Sequence, residues 1–217
     1  MNQVESTAAW ATLYDAVSVA FGYPSQRLYD ALSDGSFMQV IAEAASTVQG
    51  LASERQVLDA AVAEVLAGRG LLDLETEYVS LFEINRRERP LHLYAHLYDP
   101  QSGDSIALMQ RLQVLYRGYG VALKTGEGAD HPDHLTVQLE FMAYLYHRLG
   151  RVLAGEQQGS AAELGQAVAA FRQELVWIPA LCSELEKRSA HPFYVSLCRF
   201  LTAMLAHGRP PPAEAAP

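Results

Sequence analysis

The sequence predicts an all-α protein, a single-domain helical bundle of about ten helices, and three observations carry that prediction. Apolar residues recur at spacings of three and four along nearly the whole chain. Glycine, proline and serine fall where helices stop and start, and no segment shows a strand-like alternation or a repeat of solenoid length. The helical domain is expected to span residues 1–208, with a disordered Pro- and Ala-rich tail at 209–217.

In chain order, residues 7–21 place Trp10, Leu13, Tyr14, Val17 and Phe21 on one helical face, and Gly22, Tyr23 and Pro24 stop that helix. Ser25 is positioned to cap a short helix through Leu32. Ser36 with Gln39 and Ser53 with Gln56 have the capping-box pattern, which predicts helices near 37–49 and 54–67, the second closed by Gly68 and Gly70. Residues 74–84 read as helix, 85–90 as a charged break ending in proline, 91–98 as a short apolar stretch and 99–103 as a turn. A helix from Asp104 or Ser105 carries Ile106, Met109, Leu112 and Leu115 on one side, and 125–131 is a polar loop. Pro132 or Asp133 opens the longest pattern, through Leu135, Leu139, Met142, Leu145, Tyr146 and Leu149. Ser160 with Glu163 caps a helix carrying Leu164, Val168, Phe171 and Leu175, which Pro179 breaks. A further helix runs to about Arg188, and Pro192 begins the last, with Phe193, Leu197, Leu201 and Leu205.

Of the 217 residues, 16 are Lys or Arg and 25 are Asp or Glu, a formal charge of −9. That balance argues against a general nucleic-acid or anionic-membrane binder, because both need a basic face. Half of the residues are hydrophobic, enough for a real core. No run approaches the roughly 20 apolar residues that cross a bilayer, so a soluble, cytoplasmic protein without membrane insertion is expected. Cys182 and Cys198 sit in apolar, helical-looking sequence and read as buried free thiols.

The residues able to carry chemistry are few. His92 and His96 are four apart and would share a helical face, as metal ligands do, but no HExxH pattern accompanies them, and the alternative is a partly buried segment lining a groove. The densest polar cluster is Asp130, His131, Pro132, Asp133 and His134. Asp133 and Pro132 suit a helix start, and the competing reading has Asp133 and His134 rimming a pocket for a partner's cationic or polar group. Glu140 stands in an apolar run beside Val137 and Tyr144, so it is either solvated or held by a donor. There is no nucleophile elbow and no phosphate-binding glycine loop. Arg86 and Arg87 lie mid-chain and read as a solvated loop.

Several stretches together resemble the cytoplasmic redox-enzyme maturation chaperones of the nitrate reductase delta subunit and trimethylamine N-oxide reductase chaperone type. They are ETEYVSLFE at 75–83, PLHLYAHLY at 90–98 and HPDHLTVQLEFMAYL at 131–145, followed in the same order by Trp177, Pro179 and HPFY at 191–194. The chain departs from that pattern after Phe82, where a charged stretch at 83–89 stands in place of a small Gly-rich one. The resemblance implies an all-helical fold with no enzymatic activity and no cofactor or metal of its own. It implies binding to the catalytic subunit of a molybdopterin-dependent oxidoreductase, often through its N-terminal, twin-arginine peptide, until the molybdenum cofactor is inserted. It also allows either a monomer or a homodimer made by helix exchange.

Such a peptide wants carboxylates beside an apolar groove. Glu77, Glu83, Asp133 and Glu140 are candidates for the first, Tyr78, Leu81, Phe82 and Tyr94 for the second, with His92, His96, Pro132 and His134 completing the expected partner-binding set. Residues such as Leu81 and Phe82 are more often core than groove. Two other readings remain open on the sequence: a metal- or nucleotide-dependent enzyme using His92, His96, His131 and His134, and a dimerising helical scaffold.

Overall fold

The structure, a computed structural model, describes residues 2–68, 70–84, 89–98, 104–124, 130–189 and 191–208. Residues 85–88 of the expected charged break at 85–90, the turn at 99–103, most of the loop at 125–131 and the tail at 209–217 lie outside these residues.

Two long helices form the centre: α1 (Gln3–Phe21) and α7 (Leu135–Leu153). They pack along each other, and every residue of the two apolar patterns read from the sequence is buried. The helices approach closely at Gly150, where a Cβ would come within 3.2 Å of Thr7 Oγ1. Ser18 Oγ of α1 donates to the Thr136 carbonyl of α7 at 3.2 Å, fixing the register of the pair.

Around this pair run α2 (Gln26–Ser33), α3 (Ser36–Thr47), α4 (Ala52–Ala67), α5 (Leu71–Tyr78), α6 (Ser105–Gly118), α8 (Ala161–Phe171), α9 (Ile178–Arg188) and α10 (Pro192–His207). The helix α3 packs on α1, α8 on α7, and α10 on α4 and α9. After α5 the chain makes one wider, π-helical turn over Val79–Glu83, and Ala95–Leu97 form a short 3-10 turn. Among the described residues the fold is all-α, with one isolated antiparallel bridge. No described helix is long and apolar enough to cross a membrane. Cys182 and Cys198 are buried free thiols, as read from their sequence setting.

The helix starts test the local chemistry. Ser25 and Ser160 cap as expected, accepting from the Leu28 and Glu163 N–H groups, each at 3.2 Å. Ser36 and Ser53 do not. Gly35, in the left-handed region, precedes α3 while Asp34 accepts from the Ser36 N–H at 2.8 Å, so Ser36 becomes the first helical residue. Leu51 precedes α4, and the Ser53 hydroxyl turns to Glu54 instead. In α6 the buried stripe is Leu108, Leu112 and Tyr116, whereas Ile106 is 61% exposed. The expected face, from Ile106 to Leu115, is therefore rotated, because Tyr116 is the bulkier side chain and the core takes it. Pro132 and Asp133 do not open α7, which begins at Leu135 after His134.

Candidate functional site

The site is built where three segments meet: the end of α1 with Tyr23, the π-helical turn after α5, and the entrance to α7. Residues 91–95 cross between them as extended chain. Their burial alternates, with Leu91, Leu93 and Ala95 buried and His92 and Tyr94 half-buried, as a pleated segment on a core surface requires. The Leu91 N–H donates to the Leu81 carbonyl at 2.7 Å, pinning the segment to the π-helical turn. The Leu135 N–H donates to Leu93 at 2.8 Å and the Ala95 N–H to Asp133 at 3.0 Å, pairing Tyr94 with His134. His92 and His96 are therefore not neighbours on a helical face, as their spacing suggested.

Asp133 is fully buried and does not cap α7. Its Oδ2 accepts from His96 Nδ1 at 2.6 Å and from the His96 main-chain N–H at 3.2 Å. A carboxylate without water needs donors, and His96 supplies two through one residue, its ring and its main-chain N–H. Beside it, the Pro132 carbonyl accepts from the Tyr116 hydroxyl at 2.7 Å, and burial holds that phenol well above its ordinary pKa. Pro132, Asp133 and His96 thus tie the 95–97 turn and Tyr116 to the entrance of α7, next to His134.

A cavity of about 450 Å3 is lined by Tyr23, Tyr78, Phe82, Tyr94, His92 and His134, with Glu83 and Asp130. Tyr94 stands among four imidazoles, with ring centroids 5.0 Å from His134, 5.5 Å from His131, 5.9 Å from His96 and 6.4 Å from His92. Tyr78 meets Tyr23 and Phe82 edge-on at 5.5 and 5.0 Å. Burial, then the charges of Glu83 and Asp130, push the Tyr78 phenol up to about 12. Burial, then Asp130 and Asp133, also raise Tyr94. Burial lowers His134, and the attraction of Asp130 and Asp133 offsets this only in part, so its ring is neutral at neutral pH. Its Nδ1 lies 2.7 Å from Thr136 Oγ1. The fixed charge in the lining is therefore anionic, and no lysine or arginine lines the cavity among the described residues.

A second cavity of about 490 Å3 shares Asp130 as a wall and is lined by Val121, Leu123, Val137, Phe141 and Tyr144, with Lys124 and Glu140. Burial, with the like charges of Asp15 and Asp130, raises Glu140 above the usual carboxylate range. Glu140 thus shares this wall with Val137 and Tyr144, the neighbours read from the sequence, and not the histidine-rich cavity.

The structure gathers Tyr78, Phe82, Glu83, His92, Tyr94 and His134 in one place and separates others from it. Glu77 accepts from Ser189 Oγ at 2.6 Å, on the side of α5 that faces the α9–α10 turn. Leu81 is buried in the core. Tyr23 and Asp130 were not in the expected set. Tyr23 reads in sequence as part of a helix stop, and only its 53% exposure beside a proline break marks it out. Among the described residues, no group of three or more His, Cys, Asp or Glu side chains is arranged to hold a metal ion.

Comparison with known proteins places this architecture. Residues 48–183, more than half of the chain, match the family described as nitrate reductase delta subunit. The chain is 25% identical over 215 residues to the perchlorate reductase assembly chaperone protein of Dechloromonas aromatica, covering 94% of this chain and 92% of that one. It is 31% identical over 155 residues to the dimethyl sulfide dehydrogenase assembly chaperone protein of Rhodovulum sulfidophilum, covering 68% of this chain and 57% of that one. In fold it is similar to the crystal structure of a redox enzyme maturation protein from Archaeoglobus fulgidus, with a TM-score of 0.53 at 20% identity over 88% of this chain and 93% of that one.

Proposed function

Because the chain belongs to the nitrate reductase delta subunit family, we propose that it is an assembly chaperone for the catalytic subunit of a molybdopterin-dependent oxidoreductase. It binds that subunit in the cytoplasm before the molybdenum cofactor is in place, holds it open for insertion, and releases it to assembly or export. It performs no catalytic step itself. The relatives named as assembly chaperones support the role, and the observation that carries the binding site is the anionic, tyrosine-walled cavity.

The chemistry of that cavity suits one end of a client well. Glu83 and Asp130 offer carboxylates to a guanidinium, and charge-assisted hydrogen bonds of this kind are stronger than neutral ones. Tyr23, Tyr78, Phe82 and Tyr94 offer faces for a cation and for apolar side chains beside it. A twin-arginine N-terminal peptide presents both. Asp133, His96 and Pro132 act as positioning residues in this reading, since they hold the entrance to α7 beside His134, and Glu140 with Tyr144 borders an adjoining apolar surface. Glu77 and Leu81 maintain the shape of α5 and the turn that follows it.

Affinity capture of the tagged protein from its native host, with mass spectrometry of what is retained, tests the role. A molybdopterin-binding catalytic subunit, poor in molybdenum, is the expected catch. Retention of no such subunit while the enzymes are expressed would overturn it.

A further inference from the structure

The register of the short extended segment at the site carries an inference about how a client is read, which rests on the chaperone reading. Tyr94 and His134 form a pair in which the flanking residues, and not the two themselves, exchange the hydrogen bonds: Leu135 N–H to Leu93 O and Ala95 N–H to Asp133 O. In such a pair the main-chain N–H and C=O of Tyr94 point away from α7. The period of two puts the main-chain groups of His92 on that same outer edge. The Tyr94 carbonyl is taken by Leu97, whose N–H donates to it at 3.2 Å. The Tyr94 N–H and both main-chain groups of His92 have no hydrogen-bond partner among the described residues.

A protein that exposes such an edge offers a template for another chain. Here the edge is too short to invite indiscriminate pairing, and it runs beside the cavity, since His92, Leu93 and Tyr94 all line it. We propose that the His92–Tyr94 edge receives the client by strand addition: an extended client segment hydrogen-bonds to His92 and Tyr94 and lowers an arginine side chain between Glu83 and Asp130. The division of labour is that of strand-addition sites generally, with main-chain bonds giving affinity and a pocket for alternate side chains giving specificity. The occupant follows from the charge: among the described residues Glu83 and Asp130 supply carboxylates to the lining, and no lysine or arginine lines it.

The test modifies the peptide and leaves the protein intact, so folding does not confound it. A short synthetic peptide carrying an Arg-Arg pair between apolar residues is titrated into the full-length protein, and each peptide N–H is methylated in turn. A loss of about fivefold or more is expected at one position, the peptide N–H that donates to the His92 carbonyl, with its two neighbours tolerant, because that carbonyl is the one acceptor the edge leaves open. Replacing one arginine by citrulline is expected to weaken binding to the wild-type protein and to leave binding to the Glu83→Gln/Asp130→Asn variant unchanged. Losses spaced by three and four would show a helical guest and overturn the proposal. So would losses without positional pattern, or failure of this peptide to bind while the intact catalytic subunit is still captured, and in each case the chaperone role would stand. If neither peptide nor subunit bound, both readings would fall.

Discussion

A carboxylate shut away from water persists only beside a donor, and Asp133 has one side-chain donor, His96, which also ties the chain at 95–97 to the entrance of α7. Removing one partner of a buried pair leaves the other uncompensated, although His96 keeps 27% of its side chain in solvent and recovers part of the loss. Asp133→Ala is accordingly expected to cost about 2 to 3 kcal/mol in urea unfolding, and a loss below about 0.5 kcal/mol would contradict the pairing. His134 and His191 give a pH signature. Burial lowers both below their value of 6.5 in free chain, so in the window just below 6.5 the unfolded state binds protons that the folded state refuses. Stability from these groups is complete above about 6.5 and falls with pH below it. Replacing both by glutamine is expected to flatten the thermal midpoint against pH over that window, and an unchanged slope would show that neither ring is desolvated.

At the level of the helix, capping separates what the sequence states from what the structure uses. Ser160 accepts from the Glu163 N–H, and Ser53, with the same pattern in sequence, does not cap. Ser160→Ala is expected to cost about 1 kcal/mol and Ser53→Ala close to nothing, measured side by side by denaturant midpoint. Apolar periodicity was the legible part of the fold: Leu135 to Leu149 on α7 and Trp10 to Phe21 on α1 are buried as their spacing requires. The bridge between Tyr94 and His134 was illegible for a physical reason. Residues 91–95 do alternate, but the stretch is too short to form a sheet, and the bridge partner of Tyr94 is a residue about 40 positions away that reads as a helix start. Asp133 misled in the same way, since an aspartate before an apolar run is a good cap until a distant histidine claims its carboxylate.

For the whole molecule, a net charge of −9 and a cavity bounded by two carboxylates make association with a cationic client segment sensitive to salt. Raising ionic strength from about 0.05 to 0.5 M is expected to weaken client binding several-fold, mainly through a slower on-rate. Salt-independent binding would place the contact elsewhere. The carboxylates at the cavity also separate docking from folding, since Glu83 is exposed and makes no ion pair with another described residue. Calorimetric titration of the molybdenum-free catalytic subunit into the wild-type protein and into the Glu83→Gln/Asp130→Asn variant is therefore the most direct measurement. Tight binding to the wild type and at least a tenfold loss in the variant, with the thermal midpoint unchanged, are expected. Equal affinity for both proteins would contradict docking at the cavity.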